Sequence, residues 1–144
     1  MQPIIDHIQI TVKNMDQAVP FYDKLLPILG FDAKRRVEAT IEGHELQVLD
    51  YTHPLLSFCI SSPRSVFAKD VIHRRKPGSL HHLAFKASSL AEVDRVHEQL
   101  LGIGAEIVSA PRLYPEYSAQ YYAVFFKDLE GIKYEVVFDP PRDE

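Results

Sequence analysis

The sequence predicts an α+β domain made of two copies of a β-α-β-β-β module. Three observations carry this. Two stretches, Ile5–Val12 and Leu80–Ala87, alternate apolar and polar residues as half-buried strands do, and their histidines, His7 and His82, lie 75 positions apart. Each stretch runs into a helix start at the same offset: Asn14 with Gln17, then Ser89 with Glu92, both of the capping-box kind. After each helix come three further strand-like runs separated by turn residues.

In the first copy, Ile8, Ile10 and Val12 form one face of the opening strand and His7, Gln9 and Thr11 the other. The helix presents Ala18, Phe21, Tyr22, Leu25 and Leu26 on one side, with Pro20 loosening its first turn and Pro27 and Gly30 ending it. Phe31–Ile41 and Glu45–Tyr51 read as strands joined at Glu42-Gly43, where glycine would supply a positive φ. Leu55–Ser61 is the last strand.

Ser62–Ser79 interrupts the pattern with Arg64, Lys69, Arg74, Arg75 and Lys76 against one acid, Asp70. It reads as a solvated linker or as a basic lip for an anionic substrate. In the second copy the helix stripe is Val93, Val96, Leu100 and Leu101. Gly102 and Gly104 are helix-end glycines rather than a dinucleotide fingerprint. Glu106–Ser109 is a short strand, Ala110–Ala119 a loop, Gln120–Lys127 a strand, Asp128–Gly131 a turn and Ile132–Phe138 the last strand. The tail from Asp139 is expected to fray.

The 144 residues suit one domain, with module 1 at 4–63, a linker at 64–79 and module 2 at 80–139. A net charge of -4 supplies no electrostatic reason to expect nucleic acid or an anionic membrane. No run approaches the roughly 20 apolar residues of a membrane span, and no secretory signal is visible. One cysteine, Cys59, excludes an internal disulfide and fits a reducing cytoplasm.

The pleat yields a candidate site. In the final strand Ile132, Tyr134, Val136 and Phe138 form the apolar face, so Lys133, Glu135 and Val137 point the other way. Helices should cover the apolar faces. His7, His82 and Glu135 would then share the opposite surface, where two imidazoles and a carboxylate suit iron, manganese, nickel or zinc with positions left open. Gln9 and Lys86 share that face as candidate substrate contacts. Of the adjacent Tyr121 and Tyr122, one packs and one lines the pocket, and Tyr122 is taken as the lining residue. Tyr114 and Tyr117 cover either the cavity or the surface.

The opening IDHIQITVKNMDQAVPFYDKLLPILGF, the restart HHLAFKASSLAEVDRVHEQLLGIGAEI and the ending YYAVFFKDLEGIKYEVV resemble the vicinal oxygen chelate superfamily, which includes glyoxalase I, extradiol dioxygenases, fosfomycin-resistance enzymes and bleomycin-resistance proteins. The ending is the most specific part, similar to the family's F-x-D-P-D-G-x-x-x-E signature at Phe126, Asp128, Gly131 and Glu135. The resemblance implies that each module wraps a curved mixed sheet into a half-barrel around a metal held by the first, fourth, fifth and last strands. His7, His82 and Glu135 match three ligand positions, Glu135 being also the catalytic carboxylate. The fourth falls at Phe58, Ser57 or Cys59, none a carboxylate, which departs from the glyoxalase I pattern. The implied function is a metal-dependent lyase, isomerase or dioxygenase acting on a small oxygen-chelating substrate. The alternative is a metal-free small-molecule binder of the bleomycin-resistance type. A homodimer is also implied.

Overall fold

The computed structural model describes residues 1–141. Its elements are β1 (His7–Thr11), α1 (Met15–Ile28), β2 (Val37–Ile41), β3 (Leu46–Tyr51), β4 (Ser57–Ser61), β5 (Leu83–Lys86), α2 (Leu90–Gly102), β6 (Glu106–Leu113), β7 (Tyr122–Lys127) and β8 (Lys133–Phe138). The chain divides into two compact units, one ending at Val71 and the next starting at Ile72. Each holds one open four-stranded mixed sheet, in the order β1-β4-β3-β2 and β5-β8-β7-β6. In each, the first strand lies parallel to the last, and the remaining pairs are antiparallel.

Each helix packs its apolar stripe on one face of its own sheet. In the first unit Tyr22 stacks on Phe58 with centroids 6.2 Å apart, Leu25 and Leu26 are fully buried, and the Tyr51 hydroxyl donates to Asp23 at 2.8 Å. In the second, Val93, Val96 and Leu100 are buried, and the Tyr122 hydroxyl donates to Asp94 of α2 at 2.7 Å. Burying one such leucine contributes roughly 1.5–3 kcal/mol. The N-caps form as their residues predict: Asn14 Oδ1 accepts from Gln17 N, and Ser89 Oγ accepts from Glu92 N, both at 3.1 Å. Glu92 reaches one residue further back than a capping box requires. Its Oε2 accepts from Ser88 N and Ser88 Oγ, and those bonds hold its carboxyl below the ordinary value.

Several boundaries differ from the sequence reading. The segment from Phe31 is not all strand: Ala33–Arg35 forms a 3-10 turn capped by Asp32, and β2 begins only at Val37. Between β2 and β3, Glu45 rather than Gly43 takes the left-handed conformation, with φ 53°, after a 3-10 turn over Glu42–His44. α1 continues through Pro27 to Ile28. β6 absorbs much of the expected loop and runs to Leu113; its pairing with β7 is irregular around Ser109, and an edge strand tolerates Pro111. The end of the tail, Arg142–Glu144, lies outside the described residues.

Candidate functional site

Strand pairing decides which residues share a face. β7 and β8 pair Phe125 with Glu135 and Ala123 with Val137, while Val124 meets Val136 and Phe126 meets Tyr134. Paired residues point the same way, so Phe125, Ala123, Glu135 and Val137 lie on the face turned from α2. There Tyr114, Ala123, Phe125 and Val137 form a buried cluster, with Tyr121 packed against it. The hairpin that delivers Glu135 is built by Asp128, whose Oδ1 accepts from Glu130 N at 2.9 Å and Ile132 N at 2.8 Å, and by Gly131 at φ 98°. The signature residues before Glu135 are therefore the turn that sets its register.

Glu135 is 2 % exposed. A carboxylate that deep requires partners, and it has two. Tyr121 donates its hydroxyl to Oε1, and His82 Nε2 lies 3.2 Å from Oε2. Burial and the facing carboxylate push the Tyr121 phenol above its ordinary value, so it stays a donor. His82 stands immediately before β5, its ring 6.1 Å from that of Phe125, and its Nδ1 is 2.7 Å from His81 Nδ1. Burial, then His82, Arg74, Lys133 and Arg75, lower the His81 pKa and favour its neutral form. In the first unit His7 repeats this arrangement: its Nδ1 is 2.7 Å from Asp6 Oδ1. Both histidines thus engage Nδ1 with the preceding residue and leave Nε2 for another partner, the way a metal-binding imidazole is oriented.

These residues open onto a pocket of about 700 Å³ within the second unit. His81, His82, Lys133 and Glu135 line one part, and Tyr114, Tyr117, Tyr121 and Phe125 another. Arg112 also borders it, its guanidinium 3.7 Å above the Tyr114 ring. Lys133 Nζ sits 4.9 Å above the Phe125 ring; burial, then Arg74 and Lys127, lower its pKa.

The structure therefore brings together two of the three expected ligands, His82 and Glu135. Their imidazole nitrogen and carboxylate oxygen suit a divalent first-row ion. His7 belongs to the first unit, and among the described residues no group of three or more His, Cys, Asp or Glu is gathered to hold an ion. Gln9 is exposed on β1, paired with Cys59. Lys86 pairs with Val137 and is exposed, but it is not among the pocket's lining residues. Tyr122 faces α2; of the adjacent pair, Tyr121 is the one that lines the pocket. Either face of Tyr121–Phe126 reads as apolar, so only the pairing with β8 tells them apart. Arg112 gave no sequence signal, because it lies where a loop was expected.

The register also decides which residue of β4 answers to Glu135 of β8. Ala84 of β5 pairs with Glu135; Gln9 of β1, the equivalent residue 75 positions earlier, pairs with Cys59. Burial first, and then Asp50, push the Cys59 thiol up to about 11, so it is protonated near neutrality.

The family model for the Glyoxalase/Bleomycin resistance protein/Dioxygenase superfamily matches residues 4–136. The chain belongs to this superfamily. Its members bind small molecules, commonly with divalent metals. Across 91% of its length the chain is 27% identical to the uncharacterized protein YqjT of Bacillus subtilis (strain 168), covering 95% of that protein. A glyoxylase/bleomycin resistance protein/dioxygenase domain from Frankia sp. EAN1pec superposes with a TM-score of 0.72 at 22% identity, over 92% of this chain and 94% of that one. The fosfomycin resistance protein FosX from Listeria monocytogenes does so at 0.62 and 19%, over 96% and 95%. At these identities the two structures establish the shared fold. Among the described residues no helix is long and apolar enough to cross a membrane.

Proposed function

We propose that this superfamily member is a metal-dependent enzyme acting on a small oxygen-chelating substrate, as a lyase, isomerase or dioxygenase. The observation that carries the reading is Glu135, a carboxylate buried to 2 % exposure with Oε2 turned to His82 Nε2. A carboxyl group this deep, with a histidine nitrogen at one oxygen and a pocket beside it, is a site where an ion or substrate can be held. Glu135 and His82 would hold the ion, with His7 as the third ligand implied by the family resemblance. A bound ion would act as a Lewis acid, polarising the substrate oxygens and stabilising developing negative charge.

The protein's own groups prepare that chemistry. Tyr121 occupies Oε1 with its proton, so Glu135 offers only Oε2. His81 holds His82 through Nδ1 and turns its Nε2 to Glu135 Oε2, so an ion held by both would sit between these two atoms. The tyrosines and Phe125 give the substrate an apolar wall and keep bulk water from one side of the site. Iron, manganese, nickel and zinc all suit the donors. A homodimer in the reducing cytoplasm is the setting proposed for the enzyme.

The second reading is a metal-free binder, and the aromatic wall favours it, since that wall alone can hold a flat ligand. Elemental analysis of purified protein separates the two. About one ion per chain in the native protein, lost in a His7→Ala/His82→Ala double variant, supports the enzyme. No ion in either, even after reconstitution, overturns it in favour of the binder.

A further inference from the structure

The pocket of the second unit carries a second pattern besides the Glu135–His82 pair. Its aromatic wall is ordered by ring contacts: Tyr114 meets Phe125 edge to face at 5.4 Å, and Tyr117 stacks on Tyr114 at 5.8 Å with rings 16° apart. A cation stands over each ring of the Tyr114–Phe125 pair, Arg112 above Tyr114 and Lys133 above Phe125. The two cations are not equally available. Arg112 is stacked at 3.7 Å and donates Nη1 to the Leu113 carbonyl at 3.1 Å. Lys133 forms no direct ion pair among the described residues and is half-buried.

The carboxylates offset this charge only in part. Glu135 acts on Lys133 against burial, Arg74 and Lys127, which outweigh it, and Glu116 is exposed. Arg74 is close enough to act electrostatically on both Lys133 and His81, and Arg75 on His81. A chain with net charge -4 has therefore gathered positive charge at this pocket.

We propose that the pocket selects a small aromatic acid, its ring lying along Tyr114, Tyr117 and Phe125 and its carboxylate paired with the Lys133 ammonium. A half-buried ammonium without an ion-pair partner gains from an anion it can desolvate with, and a flat ring gains from aromatic faces. A volume of about 700 Å³ is ample for one or two fused rings. This names a substrate class for the site proposed above and rests on that reading only for what happens after binding.

The test uses 2-naphthoate and its neutral counterpart 2-naphthamide, titrated against full-length, metal-stripped protein by ligand fluorescence. Wild type should bind the acid at least tenfold more tightly than the amide, with the preference shrinking at high salt. Lys133→Gln should erase the preference, Lys133→Arg should restore most of it, and the exposed Tyr117→Leu should weaken both ligands alike. Three results overturn the proposal: no binding of the acid at millimolar concentration, equal affinity for acid and amide in wild type, or a preference that survives Lys133→Gln, with its loss in Arg112→Gln then assigning the carboxylate to Arg112 instead. Metal content is measured separately. Acid selectivity without metal refutes only the enzyme reading; metal without acid selectivity refutes only this one.

Discussion

The two units share a topology and differ in what their sheets present. β1-β4-β3-β2 and β5-β8-β7-β6 are the same arrangement, each with a helix whose N-cap follows the first strand by the same spacing. Yet the second unit places Glu135 where the first has Cys59, and Phe125 where the first has Asp50, since β3 and β4 pair Asp50 with Cys59 as β7 and β8 pair Phe125 with Glu135. The larger difference is a loop. The first unit joins its second and third strands through residues 42–45, whereas the second uses residues 114–121, which carry Tyr114, Tyr117 and Tyr121. A repeated scaffold keeps its helix-covered face, because that face is the core, and diverges on the other face and in the loops, where packing constrains the residues less.

The shared half of that comparison predicts the largest effects. Leu25 of α1 and Leu100 of α2 are both fully buried. Leu25→Ala and Leu100→Ala should each cost about 2–5 kcal/mol in urea denaturation. A near-neutral result for either would mean that its helix is not the structural equal of the other.

The divergent half is probed by Tyr121→Phe, which removes the donor to Glu135 Oε1. On the enzyme reading, metal affinity should fall about 10–100-fold, as is typical when a partner of a ligand is lost. An unchanged metal titration would separate the tyrosine loop from the carboxylate.

The caps sharpen the equivalence on a smaller scale. Asn14→Ala and Ser89→Ala should each destabilise by about 1 kcal/mol, read from the urea midpoint. A much larger loss at Ser89 would show that the Ser88–Glu92 bonds depend on it.

Near neutral pH the smallest effect belongs to Cys59, whose contribution changes only in alkali. Its thiol titrates near 9 when unperturbed and near 11 in the folded chain. Between those values the unfolded thiol has lost its proton and the folded one has kept it, so the unfolded state binds fewer protons and stability falls as pH rises. That contribution is fully present below about pH 9 and is lost as pH passes about 11. Cys59→Ala should flatten this part of a pH–stability profile, and iodoacetamide should leave native Cys59 largely unmodified at pH 8.

What could be read from the residues was local or repeated. Strand alternation, cap residues and a 75-residue offset each leave a mark within a short window, so the paired modules, both N-caps and the orientation of Glu135 were legible. Boundaries slipped where two signals compete over a few residues, as at Ala33–Arg35 and along β6. What only the tertiary structure decided was register. That Cys59 rather than Phe58 answers to Glu135, that Tyr121 rather than Tyr122 enters the pocket, and that Arg112 borders it all depend on which residue lies opposite which. With apolar residues on both faces of β4 and β7, sliding a strand by one position leaves its sequence pattern nearly unchanged, and only the partner strand removes the ambiguity.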